Sequence, residues 1–226
     1  SHSYLWGKKR EVFCPNHISH GQFQKLNSIR LRNWDNIVQE IENDYYFHGI
    51  GNLYIVDSTP NISLLSKFAD YIIENDMKIN WFAFGRFDSF NHEILSKLKQ
   101  SGLVTLYFGW ESGDERILKR MYKRITLDKM KETYAIVKNL NIHGAGSFIV
   151  GHPGENEESI KKTLCLIEEL NLTNYSMSAF RLTPGSYISV NPSEYNIILP
   201  NNWKQILLKA YIEGKNEFET DYYLIN

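Results

Sequence analysis

Cysteine is scarce in this chain: two among 226 residues, Cys14 and Cys165, far apart in sequence. That scarcity excludes a disulfide framework and, with no secretory leader ahead of the first expected strand, makes a reducing cytoplasm the expected setting. An excess of either charge is also missing, since 25 Lys and Arg face 26 Asp and Glu for a net charge of −1. The electrostatic footprint of a dedicated nucleic-acid binder is therefore absent, and nucleic acid is not indicated as a partner. Long apolar runs are lacking too. Leu103 to Trp110 and Ser147 to Val150 fall well short of the ~20 residues of a membrane span, so no membrane association is expected. What remains is an ordinary globular composition, 42% hydrophobic and 14% aromatic, long enough to bury one sizeable core.

Within that composition, strand-like runs alternate with amphipathic helical runs from end to end, the pattern of repeated βα units around a parallel sheet. Six strands are expected, at about residues 4–13, 52–56, 79–85, 104–109, 146–150 and 175–180. Between them, Ile37, Ile41 and Tyr45, and then Leu64, Phe68 and Ile72, recur at intervals of four and predict helices with one buried stripe each. Ile94, Leu95 and Leu98 before Gly102, then Met130, Tyr134 and Val137, then Ile160, Leu164 and Leu170 predict three more. Cys165 falls beside the last stripe and is expected in the core. After Arg181 the periodicity stops in "TPGSYISVNPSEYNIILPNN", and a helix over about 203–217 follows, so 191–226 reads as a cap on the domain formed by 4–190.

Parallel strands joined by crossovers point their C-termini one way, so the loops after them share a mouth. Cys14, Asp57 and Ser58, Arg86 and Asp88, Glu111 and Ser112, "GHPGE" (151–155), and Arg181, Thr183 and Pro184 all follow strands and meet there. Glu111 is the foremost candidate, because a carboxylate inside such a mouth is costly unless it meets a hydrogen-bond donor. Arg86 either pairs with Asp88 or lines the site. The basic run Lys119, Arg120, Lys123 and Arg124 reads as a solvated helix face. Cys14, His17 and His20 form C-x2-H-x2-H, three possible metal ligands in one short segment, with His152 on the neighbouring rim.

Five of these stretches, "YIVDSTPN" (54–61), "WFAFGRFD" (81–88), "FGWESGDERILKRMYKRIT" (108–126), "SFIVGHPGENEESI" (147–160) and "RLTPGS" (181–186), occur in the order of the strand-end motifs of the radical S-adenosylmethionine (SAM) superfamily. The chain resembles that family, and within it the branch often attached to cobalamin-binding domains. The resemblance implies an α/β fold, a partial (β/α)6 TIM-like barrel of parallel strands with a C-terminal helical arm. It further implies SAM as cofactor: Asp57 and Ser58 near the methionine amino group, Glu111 and Ser112 near the ribose and carboxylate, and Ser147, Ile149 and Gly151 beside adenine. Arg86 and Glu111 are the implied catalytic residues.

The family also holds a 4Fe–4S cluster on a C-x3-C-x2-C loop. Here Cys14 matches the first ligand, while Ile18 and Gly21 stand in the other two places and cannot donate to iron. Three functions stay open on the sequence: a SAM-binding radical enzyme if a cluster can still assemble, a clusterless binding or scaffolding module for a protein partner, or a non-redox metal site at Cys14, His17 and His20. The small-molecule or peptide substrate is not legible, because one fold hosts many reactions.

Overall fold

A computed structural model of the chain describes residues 32–57, 59–182 and 186–202, with Gln205 and the backbone of Leu224 and Ile225. In chain order it contains α1 (Trp34–Glu42), β1 (Asn52–Ile55), α2 (Ile62–Glu74), β2 (Asn80–Gly85), α3 (His92–Gln100) and β3 (Leu103–Glu111). Then follow α4 (Glu115–Arg120), α5 (Leu127–Asn139), β4 (His143–Val150), α6 (Glu157–Leu170), β5 (Tyr175–Ala179), α7 (Tyr187–Val190), β6 (Ile197–Ile198) and β7 (Leu224–Ile225). The five strands β1 to β5 lie side by side in sequence order, every pair parallel, and form a half-barrel with helices in the crossovers. Five of the six expected strands are thus in place; residues 4–13 lie outside the described residues, as does all but Gln205 of the expected helix over 203–217.

Alternation within the strands decides which face is covered. Trp81, Leu106, Phe108, Trp110 and Phe148 are fully buried against the helices, where Phe68, Ile72, Leu95, Leu98, Met130 and Val137 complete the core. Phe87 stacks on Phe108 at 4.2 Å, and Trp110 meets Tyr134 edge-on at 5.4 Å. On the opposite, concave face, Tyr54 stacks on Phe82 at 3.5 Å and Phe84 meets Tyr107 at 5.3 Å. The Tyr107 hydroxyl reaches Ser176 at 2.7 Å.

Side-chain caps start the crossover helices. Asn61, Asn91, Asp114, Thr126 and Asn156 each accept a backbone N–H of the following turn, so the loop lengths after the strands are set by sequence. A second, smaller apolar cluster of Phe180, Leu182, Ile188, Tyr195 and Ile197 follows β5. Among the described residues no helix is long and apolar enough to cross a membrane.

One helical face departs from expectation. On α6, Thr163, Leu166, Ile167 and Leu170 turn inward with Ser159, while Leu164 and Cys165 are exposed. Two overlapping stripes share this helix, and the one containing small hydroxyl residues packs: the Thr163 hydroxyl satisfies the buried Gly113 N–H of the loop beneath it, and Ser159 closes the capping box with Asn156. The glycine-rich "HGAGSF" stretch (143–148) belongs to β4, so the strand expected at 146–150 starts three residues earlier.

Candidate functional site

At the end of β2, the Arg86 Nε and Nη2 atoms donate to the two Asp88 carboxylate oxygens at 3.0 and 2.9 Å. The expected pairing of Arg86 with Asp88 is thus present as a forked contact, with the arginine side chain 21% exposed. Desolvation pushes the Asp88 carboxyl up, but the hydrogen bonds and charge of Arg86, aided by the charge of Lys123, outweigh it and hold Asp88 below its usual range.

Strand β3 ends in a bulge between Gly109 and Glu111, and Glu111 itself has a left-handed φ of 64°. A β-carbon on Gly109 would stand 2.3 Å from Glu111 Oε1. Because Phe108 and Trp110 point to the helices, that position belongs to the concave side, and the Glu111 carboxylate lies over it. There Lys123 Nζ donates to Glu111 Oε1 at 2.9 Å, each side chain only 11% exposed. A pair so far removed from water is held by its own geometry, and losing one partner strands the other.

Lys123 was missed in the sequence because it sits in a basic run whose neighbours Lys119 and Arg124 are indeed exposed. It escapes the helix periodicity by local backbone geometry. α4 stops at Arg120, and the left-handed φ values of Tyr122 and Arg124 on either side turn the lysine inward. Arg120 has a different task, donating to Pro153 O at 3.0 Å.

The loop after Glu111 is anchored to α6. Ser112 is fully buried; its hydroxyl accepts from the Asp114 N–H at 3.1 Å and lies 3.5 Å from the Thr163 hydroxyl. Asp114 caps α4 through Arg116 N at 2.7 Å and meets Lys162 Nζ at 3.2 Å. Burial would raise its carboxyl, but these donors and charges lower it. The structure therefore brings Glu111 to the concave face and turns Ser112 away from it.

On β4, Ser147 pairs in register with Gly109 and with Ser176, half-buried on the concave side. Ile149 packs on the smaller apolar cluster. Gly151, exposed with φ of 85°, donates its N–H to Glu155 Oε2, closing the "GHPGE" turn. His152 is 1% exposed, set edge-on to Phe180 at 5.2 Å and Tyr195 at 6.4 Å. Its Nδ1 reaches Pro153 O at 3.0 Å, while Nε2 lacks a hydrogen-bond partner among the described residues. Burial lowers its pKa from 6.5 to about 4, the Pro153 carbonyl opposing and Arg120 assisting. This histidine thus faces the small cluster as a neutral ring.

Asp57 is exposed beyond β1 and accepts the Thr59 N–H at 3.3 Å. Ser58, Cys14, His17 and His20 lie outside the described residues. Among the described residues no group of three His, Cys, Asp or Glu side chains could hold a metal ion. A pocket of about 430 Å³ borders β1, α1 and α2, lined by Trp34, Ile37, Leu53, Ile55 and Asp57 among others.

A sequence model described as the radical SAM superfamily matches residues 12–167. The chain is 26% identical over 196 residues to an uncharacterized methyltransferase of Pyrococcus horikoshii, covering 86% of this chain and 42% of that protein. It is 24% identical over 171 residues to the anaerobic magnesium-protoporphyrin IX monomethyl ester cyclase of Rubrivivax gelatinosus, covering 73% of this chain and 31% of the cyclase. This chain therefore spans less than half the length of these relatives. Among solved structures, the radical SAM methyltransferase TsrM of Kitasatospora setae, with cobalamin and a [4Fe-4S] cluster bound, superposes with a TM-score of 0.64. That match is 16% identical and covers 75% of this chain and 37% of TsrM. The cobalamin-dependent SAM radical enzyme OxsB superposes at 0.59 with 18% identity, covering 92% of this chain and 34% of OxsB.

Proposed function

The chain belongs to the radical SAM superfamily, and from that premise we propose that it binds SAM at the C-terminal ends of its strands without holding a 4Fe–4S cluster on three thiolates. The observation that carries the reading is the buried Glu111–Lys123 pair, which covers the backbone of Gly109 on the concave face. SAM carries an ammonium, a carboxylate and a ribose diol. A carboxylate and an ammonium side by side suit that zwitterion, Glu111 accepting from the ammonium or the diol and Lys123 donating to the carboxylate. Ser147, half-buried and in register with Gly109, adds a hydroxyl beside the pair. Ser112 takes no part in contact with ligand, its hydroxyl being engaged by the loop. Arg86 and Asp88 form the charged rim, and Asp57 stands on the far side of the mouth.

The cluster does not fit the donors. Two of three motif positions hold Ile18 and Gly21, and the second cysteine, Cys165, is exposed on the outer face of α6. SAM in this family is activated by that cluster, so no radical step is assigned to this chain. The relatives carry the names of an uncharacterized methyltransferase and a cyclase, and on this reading the chain corresponds to a SAM-binding core of such proteins.

Calorimetric titration with SAM, before and after anaerobic incubation with iron and sulfide, tests the reading. Binding is expected in both conditions, with a colourless protein throughout, and Glu111→Ala should weaken it by at least ~1 kcal/mol through loss of a charge-assisted hydrogen bond. No binding by the wild-type protein overturns the SAM reading; a brown, iron-loaded protein overturns the clusterless one.

A further inference from the structure

We propose that Thr163, in the middle of α6, is the positioning residue for the Glu111–Lys123 pair, an inference that rests on the SAM reading above only for its consequence in binding. Thr163 touches neither partner. It is 2% exposed, its Oγ1 accepts the Gly113 N–H at 2.9 Å and donates to Ser159 O one turn back at 3.1 Å. That donation to the preceding turn fixes its rotamer, so the acceptor lone pairs face the loop in one direction.

The loop is seated there without slack. A β-carbon on Gly113 would stand 2.5 Å from Lys162 O and 2.6 Å from Thr163 Cα, so the loop backbone lies directly on the helix backbone. Lys162, one residue away, holds Asp114 at 3.2 Å, and Asp114 in turn caps α4. Two consecutive residues of α6 thereby grip two consecutive residues of the loop.

What they grip connects the two halves of the ion pair. Glu111 lies two residues before Gly113, in a left-handed conformation that a residue with a side chain keeps only where its surroundings enforce it. Lys123 follows α4, whose first turn starts from the same anchor. With Gly113 released, the Glu111 backbone can relax toward an ordinary conformation, the carboxylate leaves its place over Gly109, and Lys123 opens to water. Valine has the shape of threonine but no acceptor, so it isolates this effect.

The test acetylates the folded protein with an N-hydroxysuccinimide ester and reads each lysine by peptide mass spectrometry, with the exposed Lys119 and Lys161 as internal standards. Thr163→Val should raise the Lys123 rate about fivefold or more relative to those standards, the equivalent of one lost hydrogen bond, and Thr163→Ser should restore the wild-type rate. An unchanged Lys123 rate in Thr163→Val, even with a lower melting temperature, overturns the proposal and leaves Thr163 a packing residue. Should that variant not fold, Thr163→Ala, which admits water to the Gly113 amide, is judged by the same criterion. SAM titration of the wild type separates the two ideas: absence of SAM binding sinks the functional reading while the acetylation rates still decide the role of Thr163.

Discussion

β1 and β3 belong to one sheet yet are built differently. Every residue of β1 is exposed or half-buried, and beyond it the exposed Asp57 accepts the Thr59 N–H. β3 is more than twice as long and buries Leu103, Leu106, Phe108 and Trp110, and the residue at its tip is held by a lysine twelve positions on and by a loop anchored to α6. The difference teaches where this fold can fix a polar group. At the tip of β3 a packed strand and a hydrogen-bonded ion pair meet, which leaves the Glu111 side chain few alternative positions, whereas no residue of β1 is fully buried.

The comparison can be broken most forcefully at Lys123. Lys123→Met should destabilise the protein by about 3 kcal/mol, since Glu111 is left buried without its partner, and Glu111→Gln in the same chain should return part of that loss; urea unfolding of the single and double variants measures both. Equal stability of Lys123→Met and wild type would place β3 on the same footing as β1.

Next in size is pH. The folded-state pKa of His152 is about 4 against an ordinary 6.5, because burial opposes the charged ring. As pH falls below 6.5 the unfolded chain takes up a proton that the folded chain refuses, so the stability is complete above 6.5 and declines toward 4, by up to about 3 kcal/mol. The acid groups Asp88 and Asp114, whose pKa values are lowered, add to the loss only at still lower pH. Urea midpoints of wild type and His152→Gln between pH 7 and 4.5 isolate the histidine: the slope should flatten in the variant.

Gly113→Ala should follow, at about 1–3 kcal/mol, because its methyl group meets backbone atoms that cannot turn aside. At the other end of the sheet, Asp57→Ala should change stability by less than about 0.5 kcal/mol, as expected of an exposed site. Thermal melts of this pair sharpen the contrast directly.

Much of this architecture was legible in the sequence, and for a physical reason. Period-two and period-four apolar patterns are what burial requires, so strands ending at Gly85 and Val150 and the stripes on α2 and α5 could be placed within a few residues. Glu111 was legible because a carboxylate directly after an apolar strand has few inexpensive explanations. Lys123 was not, because its direction is set by two left-handed residues, Tyr122 and Arg124, that have no glycine to announce them. α6 was misread for a related reason: its inward face carries Ser159 and Thr163, whose value lies in hydrogen bonds, to the helix cap at Asn156 and to the distant Gly113, while a sequence pattern weighs only apolar character and chose Leu164 and Cys165.

The same sheet shows how far ring packing has shaped β4. Added β-carbons at Gly144 and Gly146 would stand 2.2 Å from the Tyr134 ring and 2.4 Å from the Trp110 indole. Two positions of this strand thus contribute no surface of their own and serve as sockets for rings projecting from α5 and β3. Strand, helix and neighbour are consequently matched as a set: an alanine in either socket must lift an aromatic ring, and through Trp110, whose backbone adjoins Glu111, a change on the dry side of the sheet would be felt on the wet one.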